Sequence, residues 1–139
     1  DLAQKFVMDR IASALSESGQ VVELQGSGDL TINGRKIAGS AQRRLRHWFF
    51  VHTSILYDFD LARISRYLTI PARQPDYRRG RSHEEFLSNL NLSRTIAGEL
   101  VRAAWSVSSS SAKTTDVPHH LLKSLLSDRF ANRSWIERF

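Results

Sequence analysis

The chain of 139 residues contains no cysteine. Disulfide bonds, thiolate metal sites and a cysteine nucleophile are therefore excluded within these residues. Long hydrophobic runs are also missing, because no stretch approaches the roughly 18 apolar residues that a membrane-spanning helix requires. Residues 1–5 lack the basic and apolar segments of a signal peptide. From these absences we expect a cytoplasmic protein without membrane association.

The composition is that of an ordinary globular domain. Hydrophobic residues make up 41% and charged residues 24% of the chain, and this length suffices for one hydrophobic core. The net charge is +6, carried mostly by arginine. Such charge indicates an anionic ligand such as ATP, an acidic protein partner, nucleic acid, or simply a solvated surface. Charge alone does not choose among these four.

The spacing of apolar residues predicts a helix followed by a small sheet. A helix is predicted over 2–18, with Gly19 as its stop. Asn33-Gly34 is the strongest hairpin signal in the chain. The predicted strands are 21–24, 30–32, the segment carrying Lys36, and 48–57. Further helical patterns follow, so the fold class is α+β, with a mixed or antiparallel sheet packed with helices.

Two helix starts after the sheet are predicted from capping residues. Asp58 or Asp60 should cap a helix that runs to about Tyr67. Ser82, with Glu85 three residues later, forms a capping box for a second, short helix.

Two more helices are predicted towards the end of the sequence. One begins at Ser93, and the last begins near Pro118. The Ser/Thr-rich segment 106–115 between them is predicted to be a linker or a mobile loop. The last helix should bury one apolar face, formed by Leu121, Leu122, Leu125, Leu126 and Phe130.

Lys36 is the leading candidate for chemistry. Its neighbours Ala38, Gly39 and Ser40 are too small to fill space, so a ligand or another backbone can approach closely. A lysine on a stiff strand beside such a gap is a fixed cation, suited to negative charge developing on a carbonyl or phosphate oxygen. The alternative is a solvated surface lysine.

Three segments carry a resemblance to a known family. They are GRKIAGSAQRR at 34–44, HTSILYDFDL at 52–61 and RQPDYRRGRSHEEFLSNL at 73–90. With these motifs in this order, the sequence resembles the lipoate–protein ligase A / lipoyl-octanoyl transferase family, from the first helix nearly to Phe139. A related family that attaches biotin shares the architecture, but the motifs match the lipoate side better.

The resemblance implies a fold, a reaction and partners. The fold would be biotin/lipoate protein ligase-like, which is class II synthetase-like. Family members carry an upstream sheet that is absent here, so residues 1–139 would be the C-terminal part of one catalytic domain, with the missing N-terminal half as a partner. With ATP and Mg²⁺, such a ligase activates lipoate or octanoate as acyl-AMP. It then passes the acyl group to a lysine of a lipoyl carrier domain, either a dehydrogenase E2 subunit or the glycine-cleavage H protein.

The resemblance also implies roles for individual residues. Lys36 matches the family's lysine, which would bond the acyl carbonyl or bridging oxygen of acyl-AMP. Asp29 matches an acidic residue that would contact Mg²⁺ or the adenylate, although Gly28 stands where the family often has Asn or Ser. Alternatively, Asp29 pairs with a turn backbone. The residues expected to line the acyl or adenylate pocket are Gly39, Ser40, Ala41, Gln42, His52, Thr53 and Ser54. Ser40 could equally be a strand hydroxyl bonded to backbone, and His52 could be structural.

Four arginines are candidates for contact with phosphate or with the acidic face of a carrier domain. They are Arg43, Arg44, Arg78 and Arg79. The forked guanidinium group suits either partner. For Arg43 and Arg44 the alternative is a solvated turn, and for Arg78 and Arg79 it is packing against the sheet.

Three alternatives to a ligase stay open. A transferase that takes octanoate from acyl carrier protein would need a cysteine, which in one branch lies where Phe49 stands here. A second alternative is a folded but non-catalytic accessory half. The third and weakest is a nucleic-acid-binding module that uses Arg43, Arg44, Arg46 and Trp48.

Overall fold

The computed structural model describes residues 2–106 and 118–138. Two compact units make up the chain, residues 1–107 and 108–139. The first unit holds a four-stranded antiparallel sheet in the order β1-β2-β3-β4. Its strands are β1 (Glu23–Gln25), β2 (Asp29–Ile32), β3 (Arg35–Arg44) and β4 (Phe49–Ile55). With the helices around it, this sheet confirms the predicted α+β class.

Four helices accompany the sheet in the first unit. They are α1 (Leu2–Ser16), α2 (Ala62–Tyr67), α3 (His83–Phe86) and α4 (Arg94–Ala104), with a 3₁₀ turn at Asp76–Arg78. Helix α1 ends close to the predicted stop, where Gly19 adopts a φ of 86°. In the described residues of this unit, no helix is long and apolar enough to cross a membrane.

The core lies where helix α1 packs against α4 and the sheet. Met8 and Leu15 of α1 and Leu30 of β2 are fully buried, together with Ile37 of β3 and Leu90. Burying an aliphatic side chain of this size contributes about 1.5–3 kcal/mol. The remaining buried members of the cluster are Ile11, Ala12, Val22, Ala38 and Ala97. This core fixes β2 and β3, the strands that carry the candidate residues.

The hairpin between β2 and β3 forms as predicted. Asn33 and Gly34 have φ angles of 51° and 70°. Positive φ at both central residues is the type I′ geometry, whose twist matches that of the flanking strands. Ile32 pairs with Arg35 across the turn.

A bulge interrupts the pairing of these two strands. Leu30 pairs with Ala38 and Thr31 pairs with Lys36, so Ile37 is an extra residue on β3. Side chains normally alternate between the faces of a strand, and one extra residue reverses that alternation locally. Lys36 therefore faces the same side as Gly39, which lies three positions further along.

The helix caps match the sequence in two places and differ in one. The capping box of Ser82 and Glu85 is present at α3, and Ser93 caps α4. At α2 the N-cap is Leu61, so the prediction of Asp58 or Asp60 as cap is wrong. The reason is a one-residue offset: the Asp60 Oδ1 accepts from the Ala62 N–H at 3.2 Å, in a turn that precedes the helix.

The second unit consists of α5 (His119–Leu125), a π-helical turn (Leu126–Phe130) and α6 (Arg133–Ile136). A helix does begin after Pro118 as predicted, but the expected buried face is wrong. Its members Leu121, Leu122, Leu125, Leu126 and Phe130 are all exposed. The helix is short and turns into the π segment, and within the described part of this unit the Phe130 ring contacts that of Trp135. Most of the predicted linker, from 107 onward, lies outside the described residues.

Gly28 is expected to be essential for stability. A Cβ there would lie 2.3 Å from Ser40 Oγ and 2.5 Å from Gln4 Nε2. Gly28→Ala should therefore break the hydrogen bonds that join β3 to Gly28 and α1, and lower the free energy of unfolding by about 1–3 kcal/mol.

The matched control is Gly98→Ala in α4, whose new methyl group would meet nothing closer than 4.0 Å. Replacing a helical glycine by alanine should raise stability by about 0.5–1 kcal/mol. Urea denaturation of both variants measures the difference. Equal stabilities would contradict the assignment of Gly28 as a close-approach residue.

Candidate functional site

Lys36, Asp29 and Tyr77 form a connected group at the sheet surface. The Lys36 Nζ lies 2.7 Å from Asp29 Oδ1, and the two side chains are 27% and 19% exposed. The Tyr77 hydroxyl donates to Asp29 Oδ2 at 2.8 Å. One carboxylate thus holds an ammonium group on one oxygen and a phenol on the other. The alternative that Asp29 pairs only with a turn backbone does not describe this site.

Gly39 provides the space in which this group forms. It pairs directly with Asp29 across β2 and β3. A Cβ at Gly39 would lie 3.0 Å from Lys36 Nζ, 3.1 Å from Lys36 Cε and 3.4 Å from Asp29 Oδ1. The bulge brings Lys36 to this face, and the missing side chain of Gly39 lets its stem lie flat along the strand.

An apolar slot of about 360 Å³ opens beside Lys36. Its walls come from the sheet, from α2 and from the segment around α3, which is tied to β3 because the Ser88 N–H donates to the Lys36 carbonyl at 2.9 Å. The lining residues are Lys36, Ala38, Gly39, Ser54, Leu56, Ile64, Leu68, Arg78, His83, Phe86 and Leu87. A cation at the wall of an apolar slot suits a ligand with an apolar chain and a polar or anionic end.

Arg78 brings a second cation to the slot and is almost completely buried. Its Nε donates to the Arg81 carbonyl at 2.9 Å, one terminal nitrogen lies 3.5 Å from His83 Nδ1, and its guanidinium carbon lies 4.7 Å from the centroid of the Phe86 ring. None of these three contacts supplies a negative charge. Arg79 differs, since it is exposed with a φ of 52°. The two arginines expected to act together therefore have separate surroundings.

The predicted pocket residues of β3 and β4 divide between the two faces of the sheet. Gly39 pairs with Ser54, and both line the slot. Ser40 pairs with Thr53 on the opposite face. There the Thr53 Oγ1 approaches Met8 Sδ at 3.3 Å. Thr53 is therefore directed to the helices of the core.

Ser40 has the structural role considered above, that of a strand hydroxyl bonded to backbone. Its hydroxyl donates to the Gly28 carbonyl at 2.8 Å and accepts from Gln4 Nε2 at 2.9 Å. This closes the link between α1 and β3 and leaves the hydroxyl engaged within the protein.

The slot face of the sheet continues into an open surface. Ala41 pairs with His52 and Arg43 with Phe50, all exposed and all on the face of Gly39. The His52 ring lies 5.8 Å from that of Phe50.

Two other predicted residues occupy the opposite face of β3. Arg44 pairs with Phe49 and Gln42 with Val51, one position out of step with Arg43 and Ala41. Arg43 and Arg44 therefore cannot contact one flat ligand from the same side.

The residues around Asp29 do not fit a magnesium ion. Mg²⁺ prefers carboxylate oxygens, but both oxygens of Asp29 are engaged, and one of them lies 2.7 Å from an ammonium group that would repel a cation. Across residues 2–106 and 118–138, no cluster of three or more His, Asp or Glu side chains could hold a metal.

Tyr77 is the site residue that the sequence reasoning missed. It lies 48 residues from Asp29 along the chain, on the 3₁₀ turn that follows Pro75. No local spacing rule connects two such positions. A tyrosine among arginines, directly after a proline turn, was the sole available hint.

Tyr77 is expected to resist ionisation in the folded protein. Burial, then the hydrogen bond to the Asp29 carboxylate, raises the pKa of the Tyr77 phenol far above its ordinary value of 10.0. The neutral form is favoured by folding, so its stabilising contribution is complete below pH 10 and is lost as pH rises above it. Unfolding above pH 10 should release up to one more proton in the wild type than in Tyr77→Phe.

Near-ultraviolet tyrosinate absorbance and urea denaturation at several alkaline pH values measure this. The wild type and Tyr77→Phe should give the same absorbance until unfolding begins. A larger absorbance in the folded wild type would contradict the assignment.

The sequence of this chain is similar to those of a known protein family and of a known protein. The sequence matches the family described as lipoyl protein ligase A/B catalytic domain over residues 3–105. It is also similar to a Plasmodium falciparum (isolate 3D7) protein named inactive lipoate–protein ligase 2, with 36% identity over 58 residues. That match covers 42% of this chain and 15% of the relative.

Solved structures agree in fold. A crystal structure of lipoate-protein ligase A bound with ATP has a TM-score of 0.74 at 15% identity, covering 96% of this chain and 57% of that one. A bipartite lipoate protein ligase from Thermoplasma acidophilum, described with its E2 lipoyl domain, has a TM-score of 0.72 at 16% identity, covering 93% and 55%. The chain thus has the lipoate-protein ligase fold and spans a little over half the length of these structures.

Proposed function

Because the chain belongs to the lipoyl protein ligase A/B catalytic domain family, we propose that it supplies the lysine-bearing part of a lipoate–protein ligase site. In this proposal the whole protein activates lipoate or octanoate with ATP as acyl-AMP. It then passes the acyl group to a lysine of a lipoyl carrier domain. Residues 1–139 act as part of one catalytic domain and are completed by further sequence.

The observation that carries the proposal is the Lys36 ammonium at the wall of the apolar slot. Leu56, Ile64, Leu68 and Phe86 offer an apolar surface for an acyl chain. Lys36 then lies where the polar end of the chain would emerge. A fixed ammonium there stabilises the negative charge that develops on the acyl oxygen as a nucleophile attacks, an effect of about 3–4 kcal/mol for a single donor in comparable sites.

The charges around the slot support an adenylated ligand. Arg78 lines the slot with a buried guanidinium whose named contacts carry no negative charge. Since Asp29 balances the charge of Lys36, Arg78 supplies the net positive charge of the slot, which suits a carboxylate or a phosphate. The carboxylate of the acid would attack the α-phosphate of ATP and displace pyrophosphate, which gives the acyl-AMP mixed anhydride. The carrier lysine would then attack the acyl carbon, and AMP would leave. Asp29 does not fit Mg²⁺, because both of its oxygens are engaged by Lys36 and Tyr77.

The open surface beyond the slot is where a carrier domain would approach. Ala41, Arg43, Phe50 and His52 share one exposed face that continues from Gly39. A cationic and aromatic surface suits an acidic carrier whose lysine must reach the acyl group. Arg79, which is also exposed, is a second candidate for this contact.

A non-catalytic half is the second candidate function. One observation favours it: the similar Plasmodium falciparum protein is named inactive. The two readings differ in whether a slot-lining lysine is used for chemistry.

A lipoylation assay separates these functions. The full-length protein is incubated with an apo carrier domain, ATP, Mg²⁺ and lipoate. The mass of the carrier domain is then measured by mass spectrometry. An ATP-dependent mass gain supports the ligase. A gain only from octanoyl-acyl carrier protein would replace the ligase with a transferase, and no gain from either donor would establish the non-catalytic half.

A further inference from the structure

We propose that Asp29 and Tyr77 are positioning residues for Lys36. The Tyr77 hydroxyl orients the Asp29 carboxylate, and this carboxylate holds the Lys36 ammonium at the slot. The proposal rests on the proposed function for its catalytic consequence, but not for its geometry. It also gives Asp29 a role different from the metal contact expected from the family resemblance.

Both oxygens of the Asp29 carboxylate have a bonding partner. Oδ1 meets Lys36 Nζ at 2.7 Å, and Oδ2 accepts from the Tyr77 hydroxyl at 2.8 Å. Charge-assisted bonds of this length are among the stronger polar contacts in proteins. With both oxygens bound, the side chain of Asp29 has one orientation, and that orientation points Oδ1 at the ammonium.

Lysine needs such a partner more than most residues. Its four-carbon stem is flexible, and its ammonium is a compact charge that many positions can satisfy. Gly39 removes the side chain that would otherwise limit where this stem lies. The space that admits Lys36 therefore also leaves it unconfined on that side, and the ion pair to Asp29 supplies the missing restraint.

Tyr77 is held firmly enough to serve as the fixed end of the network. The centroid of its ring lies 5.2 Å from that of the Phe86 ring. Its carbonyl accepts from Arg81 Nη2 at 2.9 Å, and the same nitrogen bonds the Gly34 carbonyl at 3.0 Å. Tyr77 is thereby tied to the hairpin that carries Lys36.

The test compares Tyr77→Phe with Tyr67→Phe. Both variants remove one hydroxyl, but Tyr67 is exposed at the end of α2 and does not line the slot. The first readout is NMR of the full-length protein with isotope-labelled lysine side chains. Residues 1–139 contribute four lysines, and the Lys36 signal is identified as the one lost in Lys36→Arg. The second readout is carrier acylation by the full-length protein, with kcat and KM measured separately.

The expected result is a shifted Lys36 side-chain signal and a fall in kcat of about tenfold in Tyr77→Phe, with KM for the acid changed less than about twofold. A tenfold change corresponds to about 1.4 kcal/mol, within the range for a bond to a charged group. Tyr67→Phe should change neither readout. Asp29→Asn, which keeps the shape of the side chain but removes its charge, should shift the same signal and lower kcat further.

The positioning role of Asp29 and Tyr77 and the ligase function can be refuted independently of each other. An unchanged Lys36 signal in both Tyr77→Phe and Asp29→Asn overturns the positioning role, whatever the activity. A fall in kcat without a shifted signal overturns it too, because Tyr77 would then act by another route. A shifted signal in a protein that acylates no carrier supports the positioning network and refutes the ligase.

Discussion

Lys36→Ala is expected to lower the rate of carrier acylation by about 10²–10³-fold, the range seen when one preorganised donor to a developing oxyanion is lost. The side chain lies at the wall of the slot with its ammonium held by Asp29. Removing it takes away a positive charge that acts where the acyl oxygen gains negative charge. The effect should appear in kcat more than in KM, because this interaction strengthens as the reaction proceeds.

The measurement is carrier acylation by mass spectrometry with saturating ATP and lipoate. Lys123→Ala is the matched control, since Lys123 is exposed in the second unit. It should retain full activity. Thermal unfolding separates chemistry from folding, because truncating a partly exposed lysine should change stability by less than about 1 kcal/mol. Wild-type activity in Lys36→Ala would remove Lys36 from the chemistry.

Gly39→Ala is expected to lower acylation by about tenfold while leaving the protein folded. The new methyl group would lie 3.0 Å from Lys36 Nζ and 3.1 Å from Cε. These atoms are the far end of a flexible side chain, so the lysine moves aside rather than the strand. A displacement of about 1 Å can cost about 10²-fold in rate, and the shift of a few tenths of an ångström required here should cost correspondingly less.

The free energy of unfolding of Gly39→Ala should be equal to or higher than that of the wild type. Gly39 does not adopt a positive φ, and alanine is favoured over glycine in a strand interior by about 0.5–1 kcal/mol. Gly98→Ala, which adds the same methyl group far from the slot, is the control for activity and should be fully active. A Gly39→Ala variant with unchanged rates would show that the position of the ammonium does not matter.

Local signals in the sequence account for much of the fold. Asn33-Gly34 predicts its turn because both residues tolerate positive φ, and Ser82 with Glu85 predicts a helix start through two reciprocal hydrogen bonds. Such features depend on residues within a few positions of each other. Lys36 was singled out from its small neighbours, which left a solvated lysine open, and the family resemblance then favoured a role in chemistry.

The missed features depend on distance along the chain. The bulge at Ile37 arises from how β2 and β3 pair, which no single strand pattern reveals. Tyr77 reaches Asp29 across 48 residues. The apolar stripe of the last helix was read correctly as a stripe, but periodicity identifies an apolar face without naming what covers it.

The position of β4 has a practical consequence for handling the protein. It is the last strand of the sheet, and its residues Phe49–Ile55 include no charged residue, no proline and no glycine. An edge strand of this kind offers unpaired backbone groups and aromatic side chains to a second copy. Any preparation limited to residues 1–139 should therefore self-associate as its concentration rises, and Phe50→Lys on the exposed face should keep it monomeric in light scattering.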